Sequence, residues 1–273
     1  MARHDQDARP APILSLRWKA LIALSLVLIL VNASLALFAY RQLVQQFDQQ
    51  QQTVRDRQAR QLRALIEDRY QQMSRLANVV PVLAPIEPGD GPEAHLRHAL
   101  AVNGVMLDLE WDIRSVHWIP GDGGPALLLW PGDGIEPPGA LVDAVRKRPD
   151  ETAEHLACQR DCRQFLAVPL LWQGRYSGAL VLGRSVADAL LTFNALTGAE
   201  AALVPSDRAD AADGDFPVIT HPERTRALFA SATDAAEPDD RQSLVEQIQQ
   251  GGDWFEIFRL RGLAPGIDAL VLN

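Results

Sequence analysis

From Ala20 to Ala39 the chain runs through 20 residues without a charge, and only Ser25, Asn32 and Ser34 among them are polar. A helix of that length rises about 30 Å, the thickness of a bilayer hydrocarbon core, and satisfies its own backbone polar groups there. Trp18 and Tyr40 stand at its ends, where amphipathic rings favour the headgroup level, with Arg17, Lys19 and Arg41 beside them as snorkelling charges. The pattern predicts a transmembrane helix over residues 20–40. Its rival is a cleavable signal peptide with an apolar core Ala20–Val31 and cleavage after Val31-Asn32-Ala33. The apolar run continues through Leu35, Leu37 and Phe38, which suits a retained helix. Arg3, Arg9, Arg17 and Lys19 precede it and Arg41, Arg55, Arg57 and Arg60 follow. Next to the membrane the balance is two cations against one, which places residues 1–19 inside and the bulk of the chain outside.

Beyond the anchor, Leu43, Phe47, Val54, Leu62, Leu65, Ile66, Met73, Leu76 and Ala77 recur near the 3.6-residue period, predicting one long helix over Gln42 to Asn78 that Pro81 and Pro85 end. Its apolar stripe is sparse before Leu62 and dense after it, so the dense part is expected to pack on the domain that follows. The segment 41–80 is read as a juxtamembrane and dimerisation helix, with a passive stalk as the alternative. Next come a short helix at Glu93–Val102, strands at Val105–Trp111, Ser115–Ile119 and Ala126–Trp130, and a helix at Gly139–Lys147. Two strands, Gln164–Trp172 and Arg175–Arg184, are joined by the tight Gln173-Gly174 turn. Ser185–Leu196 reads as a helix with Ser185 as its N-cap and Gly198 closing it.

A smaller run follows: a strand Ala199–Val204, an acidic loop Ser206–Asp215, a strand Phe216–Thr220, a helix Pro222–Ser231 and a second acidic loop Ala232–Asp240. A short helix is expected at Gln242–Gln249, then closing strands Trp254–Leu260 and Ile267–Leu272. Strands in antiparallel runs with helices between them indicate an α+β fold. The expected organisation is two PAS-like antiparallel-sheet units, a membrane-distal one over 81–198 and a smaller membrane-proximal one over 199–273. Ending on an apolar strand suggests a fragment, or a partner segment that follows.

Hydrophobic residues make up 47% and charged ones 22%, which fits a folded chain. The net charge of -9 divides unevenly: residues 1–80 carry 11 Lys+Arg against 6 Asp+Glu, and the remainder 15 against 29. An acidic C-terminal part without basic patches interleaved with aromatics disfavours nucleic acid as a partner.

The anchor, the long helix, the hairpin Phe165–Arg184 and the stretch Leu196-Thr197-Gly198-Ala199-Glu200-Ala201-Ala202-Leu203 together resemble the periplasmic double-Cache (or CHASE-type) sensor region of bacterial membrane receptors. The resemblance covers residues 41–273. It implies Cache-like units in the periplasm, an inner-membrane anchor, a homodimer, and a cytoplasmic output module such as a GGDEF/EAL cyclic-di-GMP enzyme, a histidine kinase or a chemotaxis domain. This chain departs from the pattern: it contains no second anchor, no output domain, and no recognisable Arg/Tyr/Asp pattern of amino-acid-binding Cache domains.

The two cysteines, Cys158 and Cys162, are four apart in Cys-Gln-Arg-Asp-Cys, with His155 three residues upstream. Two thiolates and one imidazole make a poor zinc site. A three-residue hairpin loop would set the cysteines opposite each other at disulfide distance, although free thiols or a redox sensor remain open. Gly251-Gly252-Asp253-Trp254-Phe255 has the outline of a GGDEF signature, but Trp254 stands where that chemistry needs an acid, so a turn before a strand is expected. His95, His98 and Glu93 read as surface polar residues on a short helix. Neither a phosphate loop nor a nucleophile elbow nor an HExxH motif occurs, and no catalytic residue, metal or cofactor is expected.

A small-molecule ligand would have its place on the membrane-distal sheet. Trp111, Trp118 and Trp130 would form apolar walls there with Trp172 beside them, and Arg114, His117, Arg163 and Tyr176 would supply polar contacts. The competing expectation is that the tryptophans are core. The function expected is an extracytoplasmic signal-sensing input region, with an anchored envelope scaffold or protein-interaction domain as the alternative.

Overall fold

The computed structural model describes residues 16–86, 89–130, 135–159, 161–206, 216–234, 245–250 and 252–273. The protein is α+β: a long N-terminal helix, α1 (Leu16–Val79), precedes two five-stranded antiparallel sheets. The chain divides into two units, Met1–Asp56 and Arg57–Asn273.

In the first unit, every described side chain from Arg17 to Gln50 is exposed. The most apolar 18-residue window of α1 has a mean hydropathy of 2.6, and α1 is the one described helix long and apolar enough to cross a membrane. Two of the three polar residues in that stretch bond back to the helix: the Asn32 amide donates to the Leu28 carbonyl at 2.9 Å and Ser34 Oγ to that of Leu30 at 2.8 Å. Such back-bonding spares a polar group the cost of lying unpaired in hydrocarbon.

The second unit opens with the end of α1. Ala59, Leu62, Ile66, Tyr70, Met73 and Leu76 are buried, so the dense part of the stripe packs as its period predicts. A single 3-10 turn, Val80–Val82, then ends the helical run at Pro81. The chain continues through α2 (Pro92–Trp111), β1 (Ile113–Pro120), β2 (Leu127–Trp130), α3 (Gly139–Lys147), β3 (Ala153–Cys158), β4 (Cys162–Trp172) and β5 (Arg175–Ser185). The second run is α4 (Ala187–Thr197), β6 (Glu200–Pro205), β7 (Val218–Ile219), α5 (Pro222–Asp234), β8 (Val245–Gln250), β9 (Asp253–Ala264) and β10 (Ile267–Leu272). The first sheet has the order β2-β1-β5-β4-β3 and the second β7-β6-β10-β9-β8, the same order twice.

Each sheet turns one face to α1. Val116, Trp118, Leu166 and Leu182 of the first sheet and Ala201, Leu203, Ala269 and Val271 of the second share one apolar cluster with Leu62, Ile66 and Met73 of α1. The opposite faces are covered separately. Leu141 and Val145 of α3 pack on Ile119, Phe165 and Val181, while Leu228 and Phe229 of α5 pack on Ala202, Val204 and Leu270. Period-two alternation along each strand produces this split.

Several local expectations are corrected. Residues 105–111 form the last turns of α2, not a strand. Leu96, Leu100, Gly104 and Leu107 are buried at helical spacing, and the helix ends only at Asp112, which adopts a left-handed φ of 53°. The tail of the expected helix 242–249 is strand β8, and 242–244 lie outside the described residues. Good helix formers such as Gln247 and Gln249 are overridden by ladder pairing with Glu256 and Trp254. Strand β3, for which no strand was expected, pairs with β4 from Ala153↔Ala167 to Cys158↔Cys162. Ser185 ends β5 instead of capping a helix, although its Oγ accepts from the Ala187 amide at 3.3 Å; the cap position of α4 is Val186. Only Val218 and Ile219 of the expected strand 216–220 pair. The acidic loops fall mostly outside the described residues.

Turn chemistry fares better. Gln173 and Gly174 have φ of 52° and 79°, the doubly left-handed turn whose twist matches a tight hairpin. Gly198 ends α4 with φ 73°. Cys158 and Cys162 are disulfide-bonded across the β3–β4 turn.

Candidate functional site

The α3 face of the first sheet carries three buried polar side chains: Ser115 (0% exposed) and His117 (2%) on β1, and Arg163 (3%) on β4. Alternation places Ser115 and His117 on the same face as Ile119, and Arg163 on the same face as Phe165. Between β1 and β4, strand β5 contributes Gly183, paired with Ser115 on one side and Phe165 on the other. A Cβ there would collide with Ser115 Oγ, so the missing side chain is what admits the hydroxyl.

Among the described residues neither Ser115 Oγ nor His117 Nδ1 has a hydrogen-bond partner. Leaving such atoms buried and unmade costs about 1–3 kcal/mol each, so a packed core seldom keeps two of them side by side. His117 opens onto a cavity of about 410 Å³ under α3, with Ala126, Leu128 and Val142 as apolar wall and Glu136, Asp143 and Arg146 as polar lining. Burial, and secondly the Arg163 charge, lower the His117 pKa to about 4, so the imidazole is neutral at physiological pH and offers one donor and one acceptor. Burial also pulls the Arg163 guanidinium below its ordinary value, the Arg114 charge adding to it; an arginine so placed remains cationic.

Charged groups gather at the end of the same strands. Arg114 pairs with Asp112 at 2.7 Å and with Asp108 at 3.4 Å, and Arg163 lies 3.8 Å from Asp161. Burial raises the carboxyl pKa of both Asp112 and Asp161.

Of the residues singled out from the sequence, the fold brings His117 and Arg163 together and separates the rest. Trp118 is 3% exposed on the α1 side of the sheet, in the common core. Trp130 lies against Gly104 of α2, where a Cβ would strike its ring. Trp111 ends α2, and Arg114 is half-exposed in its ion pairs. Tyr176 sits by the Gln173-Gly174 turn, paired with Leu171, eight residues or about 26 Å along the strand from Arg163. His95 is not a surface residue: it is 1% exposed, 2.6 Å from the Pro81 carbonyl and tilted against the Trp172 ring at 5.1 Å. Its i+4 neighbour Ala99 is buried too, so that helix face turns inward. Ser115 escaped notice, although alternation along Ser115-Val116-His117-Trp118 is the signal that would have paired it with His117. Among the described residues no group of three or more His, Cys, Asp or Glu is placed to hold a metal ion.

No family model matches the chain, and no curated protein does. Solved structures do. The ligand-binding domain of Mlp24 with asparagine aligns at a TM-score of 0.44 and 14% identity over 80% of this chain and 91% of that one. The ligand-binding domain of the Pseudomonas aeruginosa amino acid chemoreceptor PctC, in complex with GABA, gives 0.43 and 16% over 79% and 93%. That of the Campylobacter jejuni chemoreceptor Tlp3, with L-norvaline, gives 0.43 and 10% over 82% and 91%. At these scores the likenesses carry no ligand and no residue role to this chain.

Proposed function

We propose that this chain is the extracytoplasmic signal-sensing input region of a membrane-anchored receptor, and that it is not an enzyme. One observation carries the reading. The first sheet has α1 on one face, and on the other the buried His117, whose Nδ1 has no hydrogen-bond partner among the described residues, in the wall of a cavity. A small polar molecule in that cavity that satisfied His117 would press on strands whose alternate residues hold α1. Gln164, next to Arg163, donates from Nε2 to the Ile66 carbonyl at 2.9 Å, and Arg184, next to Gly183, contacts Gln72 at 3.4 Å. Ligand occupancy and helix position would then be two sides of one equilibrium. In this proposal the helix spans the inner membrane with its N-terminus inside, a homodimer forms along 41–80, and a cyclic-di-GMP enzyme or histidine kinase receives the signal.

Two measurements on the full chain in nanodiscs or cells test it. A phosphatase reporter fused after Asn273 is expected to be active outside the cytosol; activity of a cytosolic reporter at that position instead overturns the reading. A thermal-shift screen of small metabolites is expected to yield a ligand that raises the melting temperature and loses its effect in His117→Leu. The alternative of an envelope scaffold draws on an exposed apolar stripe of α2, where Val102, Val105 and Leu109 are 61–79% exposed at helical spacing. A ligand response untouched by His117→Leu, with a protein partner lost on Leu109→Glu, would favour it.

A further inference from the structure

A second cavity, of about 530 Å³, lies away from the α3 face, walled by α1, β3 and the β9–β10 connection, and it shares no residue with the first. Arg63, Glu67 and Tyr70 reach it at i, i+4 and i+7 of α1, spacing that aligns them along one helix face. Glu154 enters from β3, and Ile66, Leu156 and Pro265 supply apolar wall. Neither carboxylate has an ion-pair or hydrogen-bond partner among the described residues. Desolvation first, and the Glu67 charge second, hold the Glu154 carboxyl above its ordinary value. Arg63 lines the same cavity and offsets one of the two negative charges, while its guanidinium donates to the Arg261 carbonyl at 3.3 Å.

Tyr70 makes the floor. It is 6% exposed and lines the cavity, with Gln164 close to its hydroxyl. Desolvation raises the phenol above its usual range, so it stays protonated. A buried phenol, two exposed carboxylates without an ion-pair partner among the described residues and an apolar wall suit a cation with an organic body.

We propose that this cavity binds a monocationic organic amine, with the ammonium between Glu67 and Glu154, the Tyr70 ring and oxygen beneath it, and the apolar body against Leu156 and Pro265. Charge and shape agree: Glu67 and Glu154 against Arg63 leave one negative charge, and an ammonium near an aromatic face gains a further attraction. A bound amine would tie α1 to β3 and to the β9–β10 connection, and so to both sheets. The site stands or falls independently of ligand binding on the α3 face.

The test uses the full chain in nanodiscs at pH 7.5, with empty nanodiscs as blank and benzylamine as probe. Benzyl alcohol, the same shape without the charge, is the control. Benzylamine is expected to raise the melting temperature in a concentration-dependent way and benzyl alcohol to leave it unchanged. Glu154→Gln is expected to weaken benzylamine at least tenfold by calorimetry while melting no lower than the parent, because it removes a like-charge contact. Should that variant fail to fold, Glu67→Gln carries the same expectation. Equal shifts from amine and alcohol, unchanged benzylamine affinity in the variant, or displacement of benzylamine by MgCl₂ at matched ionic strength would each overturn the proposal.

Discussion

In the second sheet, the buried carboxylate of Asp268, on the α5 face, is fully engaged. Arg259 Nε donates to it at 2.8 Å, Ser206 Oγ at 2.9 Å and the Gly262 amide at 2.9 Å. In the first sheet, on the corresponding α3 face, Ser115 Oγ and His117 Nδ1 are buried as well and engage no partner among the described residues. The strand order is the same in both. The remainder of the α5 face is closed by the edge-on pair Phe216 and Phe229, centroids 5.8 Å apart, whereas the α3 face opens into a cavity. One topology thus serves two ends. A satisfied polar network fixes a loop and stabilises a fold, while an unsatisfied one holds free energy that an arriving molecule releases.

Breaking the network in the second sheet is expected to have the largest effect. Asp268→Ala strands Arg259 beside an apolar core and is expected to cost about 3 kcal/mol, read as a lowered denaturation midpoint of the full chain in micelles. In the first sheet the corresponding lever is pH. His117 titrates near 4 when folded and near 6.5 when unfolded. Between those values the unfolded chain binds a proton that the folded one refuses. Stability contributed by the neutral imidazole is therefore whole above pH 6.5 and lost as the pH falls towards 4. The loss is on the order of 2–3 kcal/mol, and it is isolated by subtracting the stability curve of His117→Gln from that of the parent; a flat difference would contradict it.

A third contrast lies in the hairpins. The β3–β4 turn is closed by the Cys158–Cys162 disulfide, whereas β8 and β9 pair through Gln250↔Asp253 with Gly252 at φ 99° before β9. Replacing both cysteines with serine is expected to cost about 2 kcal/mol, since so short a loop constrains the unfolded chain little; alkylation with and without reductant checks the bond. The smallest and sharpest contrast is between two serines. Ser206→Ala is expected to lose about 1 kcal/mol, because Asp268 forfeits a donor. Ser115→Ala is expected to be neutral or to gain up to about 1 kcal/mol, because no partner is left behind. Equal losses in the two variants would mean that the sheets handle polarity alike.

Much of this architecture is legible from residue order. The apolar run Ala20–Ala39, the dense stripe from Leu62, the hairpin about Gln173-Gly174, the helix Gly139–Lys147 and the cysteine pair all follow from local chemistry that the fold respects. The misreadings have a common cause. Residues 105–111 alternate apolar and polar like a strand, yet Leu107 buries as the next turn below Gly104, and tertiary packing chose the helix. Val245–Gln250 has a helix-former's composition, yet the adjacent strand β9 offered a ladder that outweighs propensity.

Sequence by itself determined the α+β class, an apolar helix long enough for a bilayer and most strand positions, because those depend on periodicities of 3.6 and 2 within a dozen neighbours. Only the tertiary structure decided which polar residues keep company. Whether His117 meets Arg163 or Tyr176 depends on strand register and on which face each side chain takes, and a one-residue slip would reverse every face. Whether a buried hydroxyl is satisfied, as at Ser206, or left wanting, as at Ser115, depends on partners 62 residues away or absent altogether. Such pairings are set by packing of the whole unit, and no local pattern encodes them.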